Sequence, residues 1–244
     1  MTVSEVQGPK ALPSVGNLIQ DTFAFLSVNG ALVYGYAGWL LVPILVILGA
    51  SRLDKGVSDV ITAIGSVALF ALSLWASAAV TLAVTELKRP DLYPKDIKAS
   101  ISELAWRRAP TILWIGLLTG ILEGFGLLLL IVPGILFIVW FAFAETEAIL
   151  TGSGTFLSLE QSRERVRGQF FPVLLRLVVF SLILCLAVTV ILVPVMAGAG
   201  LTDYTVIFTN PPAWLDATVN ALQILIMPAI ICYELHLYFA LRTP

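Results

Sequence analysis

The residues of this chain best suited to do chemistry are ionisable side chains inside long apolar stretches. They comprise four acids, one arginine and the single histidine: Glu123, Glu145, Glu147, Glu234, Arg176 and His236. If these stretches cross a membrane, each charge costs at least about 2.5–3.5 kcal/mol unless it is paired or hydrated. The six residues therefore indicate either an intramembrane substrate or proton site, or a buried ion-pair network that fixes the register of the helices.

One of the six residues is expected at a different depth in the membrane from the other five. Counting the helical rise along each stretch places Glu123 toward the outer half of its segment, where no cation is predicted. The other five belong to the cytoplasmic third, so we expect one polar cluster there if their helices are neighbours. Glu145 and Glu147 are two residues apart, and side chains at that spacing on a helix point in different directions, which argues against an acid dyad.

Other signals of catalysis or metal binding are absent from the sequence. A single histidine excludes a bis-histidine haem, the zinc pattern HExxH and any multi-histidine metal centre. There is no GxSxG nucleophile motif and no phosphate-binding loop. Cys185 and Cys232 have neither CxxC nor metal-ligand spacing, so we expect buried, inert thiols. The sequence therefore predicts no enzyme activity, no metal and no cofactor.

The elements that position these residues are predicted from composition and apolar runs. Hydrophobic residues make up 59% and charged residues 12% of the chain, against roughly 45–50% and 25% in a soluble domain. Backbone groups in a bilayer must be satisfied within the segment, so the runs are expected to be helices. We predict an all-α membrane protein with a polar tail (1–16) and one six-helix domain (17–244). The spans are Ala31–Ala50, Val60–Val84, Ala109–Ile131, Gly134–Leu150, Val173–Val195 and Ala217–Leu241.

Glycine and proline predict how two of these spans pack. Pro133 and Gly134 separate the third and fourth spans, and the pair is expected to form a tight hairpin at a membrane face. Gly116, Gly120 and Gly124 recur on one face of the third span, which would let another helix approach closely. The third span is therefore expected to be central. Its partner is either a helix of this chain or one of a second copy.

Lysines and arginines predict the orientation, because connections retained in the cytoplasm carry the excess of positive charge. Eleven of them fall on the side of the two termini, whereas the opposite side holds only Arg52 and Lys55. Both termini are therefore expected in the cytoplasm. The same cluster is also a candidate for contact with anionic lipid headgroups, although orientation alone would explain it. The candidate contacts are Lys88, Arg89, Arg107, Arg108, Arg163 and Arg167.

Three segments that precede pairs of spans carry apolar residues at helical spacing. They are Asn17–Ser27, Asp96–Arg107 and Thr155–Phe170, and each is predicted to be an amphipathic helix on the cytoplasmic surface. Val-Pro pairs at residues 42–43, 132–133 and 193–194 favour three copies of one hairpin unit. Chance is the alternative, because both residue types are common in such segments.

Three elements in order resemble a known family. They are the run from Leu127 to Ile135, the sequence SRERVRG at 162–168 followed by Phe170, and Met227-Pro228 ahead of Tyr233-Glu234-Leu235-His236. From about Ala109 to Arg242 the chain resembles the bacterial six-helix family typified by the membrane domain of glycerophosphoryl diester phosphodiesterases. That family commonly has Tyr-Asp-Leu-Arg in the last span, so Glu234 keeps the acid and His236 replaces the arginine. The resemblance implies a bacterial cytoplasmic membrane protein, with no catalytic residue carried over.

Three functions remain open from the sequence. The leading hypothesis is a non-enzymatic module that binds or organises lipid or a lipid-like amphiphile at the cytoplasmic face. The competing hypothesis is a small transporter or channel, in which Glu123 and the inner acids line a path. The third is an accessory subunit of a membrane complex. Expected partners are membrane lipids and another membrane protein or a second copy; a net charge of −2 gives no indication of nucleic acid.

Overall fold

The chain folds into helices joined by short turns. The computed structural model describes residues 12–94, 100–129, 131–200 and 212–242, and within them there are nine helices and no strand. The helices are α1 (Val15–Gly38), α2 (Leu41–Ala50), α3 (Lys55–Lys88), α4 (Ile101–Leu129), α5 (Ile131–Phe141), α6 (Ala144–Thr151), α7 (Thr155–Val166), α8 (Phe170–Gly198) and α9 (Ala213–Arg242).

Five stretches of these helices are long and apolar enough to cross a membrane. They are α3, α4, α8, residues Ala217–Arg242 of α9, and Ile131–Thr151, which joins α5 and α6. Helices α1 and α2 pass the same test only as a pair, and they are bent by 45° at the break between them. The all-helical class is therefore confirmed with five or six candidate spans, and the sixth depends on counting the bent pair as one.

Helix α3 occupies the centre of the bundle. It contacts α1, α2, α4, α6 and α9, and its stretch from Trp75 to Thr85 is almost continuously buried. Alanines at 76, 78, 79 and 83 have no exposed surface, so the surrounding helices can approach its backbone closely. The prediction that the third span, now α4, is central is wrong, because most of α4 faces outward.

The first and last helices run antiparallel and define the two ends of the bundle. Thr22 Oγ1 lies 3.1 Å from His236 Nδ1, and the Tyr34 hydroxyl donates to the carbonyl of Leu225 at 3.1 Å. The start of α1 and the end of α9 therefore share one end, called the terminal end below. Because the long helices alternate in direction, the end of α3 and the whole of α7 also belong to the terminal end.

Two of the three predicted amphipathic segments are not separate helices. Asn17–Ser27 is the first part of α1, and its buried residues pack into the bundle. The described part of Asp96–Arg107 is the first part of α4, while residues 95–99 lie outside the described residues. The third segment does form its own helix, α7, in which Leu159, Ser162 and Val166 are buried, although the helix ends at Val166 and Phe170 begins α8. The hairpin repeat stays a prediction.

A break within the predicted fourth span is explained by α7. The helix stops at Phe141 and resumes at Ala144, which leaves backbone groups without helical partners. The Ser162 hydroxyl donates to the carbonyl of Trp140 at 2.7 Å and accepts from the backbone N–H of Phe143 at 3.2 Å. One side chain of α7 thus stabilises the broken backbone, as apolar surroundings require.

Close packing between α4 and α5 uses a different glycine from those predicted. A Cβ added at Gly126 would lie 2.8 Å from Gly134 Cα, whereas one at Gly120 or Gly124 would meet nothing within 4 Å in the described structure. Gly134 and Pro133 lie in the first turn of α5 rather than in a connecting turn; Leu130, between the two helices, is outside the described residues. The predicted glycine face is thus exposed along most of its length.

We predict opposite effects for alanine at two glycines that are two residues apart. Gly126→Ala is expected to lower the stability of the protein by about 1–3 kcal/mol, because the new Cβ would overlap the backbone of α5. Gly124→Ala is expected to leave stability unchanged or raise it slightly, since it adds a methyl group in open space. Thermal unfolding of both variants in the same detergent measures the difference. Equal melting temperatures would contradict the close contact between α4 and α5.

Candidate functional site

A polar cavity of 370 Å³ lies within the bundle, between α3, α4, α5, α6, α8 and α9. Three of the predicted acids line it together with five hydroxyl side chains. These lining residues are Glu123, Glu145, Glu234, Ser77, Thr81, Thr119, Thr146 and Ser181. Three of the six predicted intramembrane residues therefore lie in one site, together with these hydroxyl side chains.

The cavity extends along α4. Ile115, Thr119 and Glu123 are successive lining residues one helical turn apart, so the cavity follows α4 for about 12 Å. Glu145 lies across from α4, with its Oε1 3.7 Å from where a Cβ on Gly116 would be. The missing side chain at Gly116 thus leaves room for the Glu145 carboxyl group. This is the structural role of the one predicted packing glycine that has a described neighbour.

The ionisable side chains that line the cavity are all acidic. Among the described residues that line it, none is lysine, arginine or histidine. Across the described part of the chain, no three histidine, cysteine, aspartate or glutamate side chains are close enough together to hold a metal ion. The three carboxyl groups are therefore spread along the cavity instead of converging on one point. Their charge has to be compensated by protons or by a cationic ligand, because carboxylates in a membrane interior are costly.

Two hydroxyl groups of the cavity have unused hydrogen-bonding capacity. Thr81 and Thr146 are only 3% and 7% exposed, and both line the cavity. Among the hydrogen bonds of the described residues, neither side-chain hydroxyl has a partner, although Thr85 and Thr151 of the same helices bond to their own backbones. Both residues line the cavity, so their hydroxyl groups can face its open space. These two groups therefore offer hydrogen bonds to whatever fills the cavity.

Glu147 does not belong to the cavity, so the single polar cluster predicted from the sequence is wrong. Its side chain is 1% exposed and pairs with Arg165 of α7, at 2.5 Å between Glu147 Oε1 and the Arg165 guanidinium. The Arg165 guanidinium also lies over the ring of Tyr238, 5.1 Å from its centre. The pair ties α6 to α7 and α9, which is the structural alternative considered above.

His236 and Arg176 also lie apart from the cavity, each with a partner of its own. His236 Nε2 is hydrogen-bonded to the Lys88 ammonium, and its Nδ1 to the Thr22 hydroxyl. Since the ammonium can only donate, Nδ1 carries the ring proton and donates to Thr22. Arg176 donates to the backbone carbonyls of Leu12 and Pro13 at 2.8 Å each. These residues join α1 to α3, α9 and α8 at the terminal end.

The predicted headgroup residues are mostly engaged within the protein. Arg89 pairs with Asp91, Arg107 with Glu103 and Arg167 with Glu164, and the hydrogen bond to Asp91 raises the pKa of Arg89.

Lys88 bonds to His236, as described above, and two arginines remain. Arg163 lies over the ring of Trp140, 4.6 Å from its centre, and the Arg108 guanidinium packs against Gly152, whose φ of 74° suits glycine. Arg163 is the best placed of the six for an external ligand.

The hydroxyl residues of the cavity were missed by sequence reasoning, although a signal existed. Ser77 and Thr81 are four residues apart on α3, as are Thr119 and Glu123 on α4, so each pair shares a helix face. Polar residues that repeat at helical spacing within apolar spans would have marked these faces.

An apolar groove of 490 Å³ adjoins the cavity between α8 and α9. Its lining includes Leu184, Val188 and Leu192 of α8. Helix α8 is loosely attached, since Val173 is its only buried residue. Cys185 of α8 is exposed and Cys232 of α9 is buried, so the prediction of a buried thiol is wrong for Cys185.

Comparisons with known proteins find no match: no family model, no curated protein and no solved structure corresponds to this chain. The resemblance to the phosphodiesterase membrane domain therefore stays a prediction. The class follows from the helices themselves, because five of them are long and apolar enough to span a bilayer and α8 exposes large apolar side chains along most of its length. Helices of this length and composition indicate a multi-pass membrane protein.

Proposed function

We propose that this protein is a non-enzymatic transporter or channel whose intramembrane acids bind a cation, either a proton or a larger cationic ligand. The main support is the cavity that Glu123, Glu145 and Glu234 line, because none of its described lining residues is basic. Such a site attracts positive charge and repels anions. Its carboxyl groups can bind and release protons, which is how intramembrane acids serve proton-coupled transport.

The depth of the three acids supports a path rather than a surface site. Glu145 lies six residues from the end of α6 and Glu234 eight residues from the end of α9, both at the terminal end. Glu123 lies six residues from the other end of the bundle, at the end of α4. With the proposed cytoplasmic location of the terminal end in a bacterial inner membrane, the acids lead from the inner third of the membrane toward its outer half.

Proton flux in liposomes tests this function. The full chain is reconstituted with a pH-sensitive dye inside the vesicles, and a pH gradient is imposed. We expect Glu234→Gln and Glu123→Gln each to slow dissipation of the gradient by about tenfold or more. Glu164→Gln is the matched control, since it removes an exposed acid of α7 outside the cavity. Wild-type flux that no cavity variant lowers would contradict the proposal.

Binding of anionic lipid at the terminal end is a second candidate, and Arg163 favours it. A separate pocket of 290 Å³ is lined by Trp140, Arg163, Glu164 and Arg167. An arginine held against an aromatic ring can bind a phosphate group in the headgroup region. Loss of co-purified anionic lipid in Arg163→Gln, with unchanged proton flux, would support this function instead. The role of accessory subunit stays a prediction.

A further inference from the structure

The polar cavity and the apolar groove adjoin each other and have three lining residues in common. Ser77, Ile231 and Glu234 line both of them. Glu234 thus stands at the junction, with the other two acids on its polar side and the aliphatic residues of α8 and α9 on its apolar side. A space of this kind fits a molecule with a polar head and an apolar tail.

The groove has the dimensions of a single long tail. Along α9 it extends from Val219 to Glu234, which is about 22 Å at the rise of a helix. Its volume of 490 Å³ and that of the cavity, 370 Å³, are each in the range of ligand sites. Because α8 buries only Val173, the groove is open sideways, and an amphiphile could enter it from the lipid phase.

The lining of the cavity selects the chemistry of the head. Three carboxyl groups without a basic residue favour a cation. A quaternary ammonium group is normally bound by a cage of aromatic rings, but Phe141 is the one aromatic side chain among the described residues that line the cavity. A primary ammonium group instead donates three hydrogen bonds. The unpartnered hydroxyls of Thr81 and Thr146 and the nearby carboxylates supply acceptors for them.

We propose that the cation bound at this site is the primary ammonium head of a single-chain amphiphile, with the head beside Glu234 and Glu145 and the tail in the groove between α8 and α9. This inference rests on the proposed function and adds the class of ligand to it. The amphiphile reaches the cavity laterally from the membrane, and its single positive charge replaces one of the protons that otherwise compensate the acids.

Photolabelling of the reconstituted full chain tests this inference. The probe is hexadecylamine with a diazirine in its tail, added to phosphatidylcholine liposomes that contain the protein. Probes with the same tail and either a hydroxyl or a trimethylammonium head are run in parallel. Mass spectrometry locates the adducts. We expect the amine probe to label the peptides around Val188 and Ile226 about tenfold more than either other probe.

Three variants separate specific binding from labelling by membrane contact. Glu234→Gln is expected to remove the preference for the amine head. Ile226→Trp is expected to fill the groove and abolish labelling there. Leu186→Trp is the matched control, because Leu186 is 66% exposed on α8 and does not line the groove; it is expected to label like the wild type.

The outcomes distinguish this inference from the proposed function. Equal labelling by all three probes, or labelling that Glu234→Gln leaves unchanged, would overturn the ammonium amphiphile. If proton flux still depends on Glu123 and Glu234 in that case, the proposed function stands with a smaller cation as its ligand. If the flux is also independent of both acids, the proposed function fails too. Labelling confined to the amine probe and lost in Glu234→Gln and Ile226→Trp supports the inference.

Discussion

Replacing Arg165 with methionine is expected to lower the free energy of unfolding by about 3–5 kcal/mol, because it leaves a buried carboxylate without its counter-charge. Glu147 is 1% exposed, and Arg165 is its partner at 2.5 Å from a different helix. The loss would also remove the ion pair that links α7 to α6. Since Ser162 of α7 bonds both sides of the break between α5 and α6, we expect the variant to unfold locally at that break first.

The matched control lies two residues further along the chain. Arg167 pairs with Glu164, and both side chains are exposed, at 77% and 60%. Arg167→Met is expected to cost no more than about 1 kcal/mol. Thermal unfolding in detergent, followed by fluorescence, compares the two variants. The double variant Glu147→Met with Arg165→Met should recover most of the lost stability. Equal losses in the two single variants would contradict the buried pair.

A lysine placed inside the cavity is expected to block the site without removing any acid. Thr119 lines the cavity on α4, one helical turn from Glu123. In Thr119→Lys the new ammonium group can pair with Glu123 at the i,i+4 spacing, and it repels other cations that enter the cavity. We expect the proton flux of the reconstituted protein to fall by about 100-fold.

The effect of the charge at residue 119 has to be distinguished from the effect of the larger side chain. Thr119→Met adds a side chain of similar length without charge, and it is expected to lower the flux by only a fewfold. Both variants are checked for folding by their elution in size-exclusion chromatography. If Thr119→Met and Thr119→Lys lower the flux equally, the larger side chain blocks the cavity by its volume alone, and the electrostatic account of the cavity is wrong.

Five of the six predicted spans, and the positions of the acids along them, were predictable because both depend on short-range patterns, whereas the first, Ala31–Ala50, is interrupted by the bend between α1 and α2. An apolar run of sufficient length has few alternatives to a helix in a bilayer, and the position of Glu123, Glu145 and Glu234 along their helices follows from counting residues. These are the acids that share the cavity. Of these three acids, only Glu145 and Glu234 were expected to lie together. The position of a residue along its helix does not show which faces of two helices are in contact.

The remaining site residues could not be assigned from the sequence, because their partners are distant along the chain. Glu147 is two residues from Glu145, but it faces Arg165 of α7 and not the cavity. His236 is two residues from Glu234, but it faces Lys88 and Thr22. Residues two apart on a helix point to different sides, so depth placed all four in one layer although rotation about the helix axis separates them.

Glycine spacing misled for a similar reason. The repeat of Gly116, Gly120 and Gly124 shows that one face of α4 lacks side chains, but the repeat does not identify what covers that face. In the described structure a Cβ added at Gly120 or Gly124 would meet nothing within 4 Å, and the helix contact is made at Gly126. Gly126, which contacts α5, does not belong to the four-residue repeat. Its role follows only from the position of Gly134 opposite it in the structure.

Access of charged reagents to the cavity is the most direct test of the central claim. Ser181→Cys places a thiol in the cavity lining, in a background with Cys185 and Cys232 replaced by alanine, and Leu182→Cys places one on the outer surface of α8, where Leu182 is 64% exposed. Thiosulfonate reagents of either charge are applied to the protein in liposomes. A water-filled, acid-lined cavity predicts that the cationic reagent modifies Ser181→Cys about tenfold or more faster than the anionic one, relative to a free thiol, while Leu182→Cys stays unmodified. Equal lack of reaction at both positions, or faster reaction with the anionic reagent at Ser181→Cys, would contradict it.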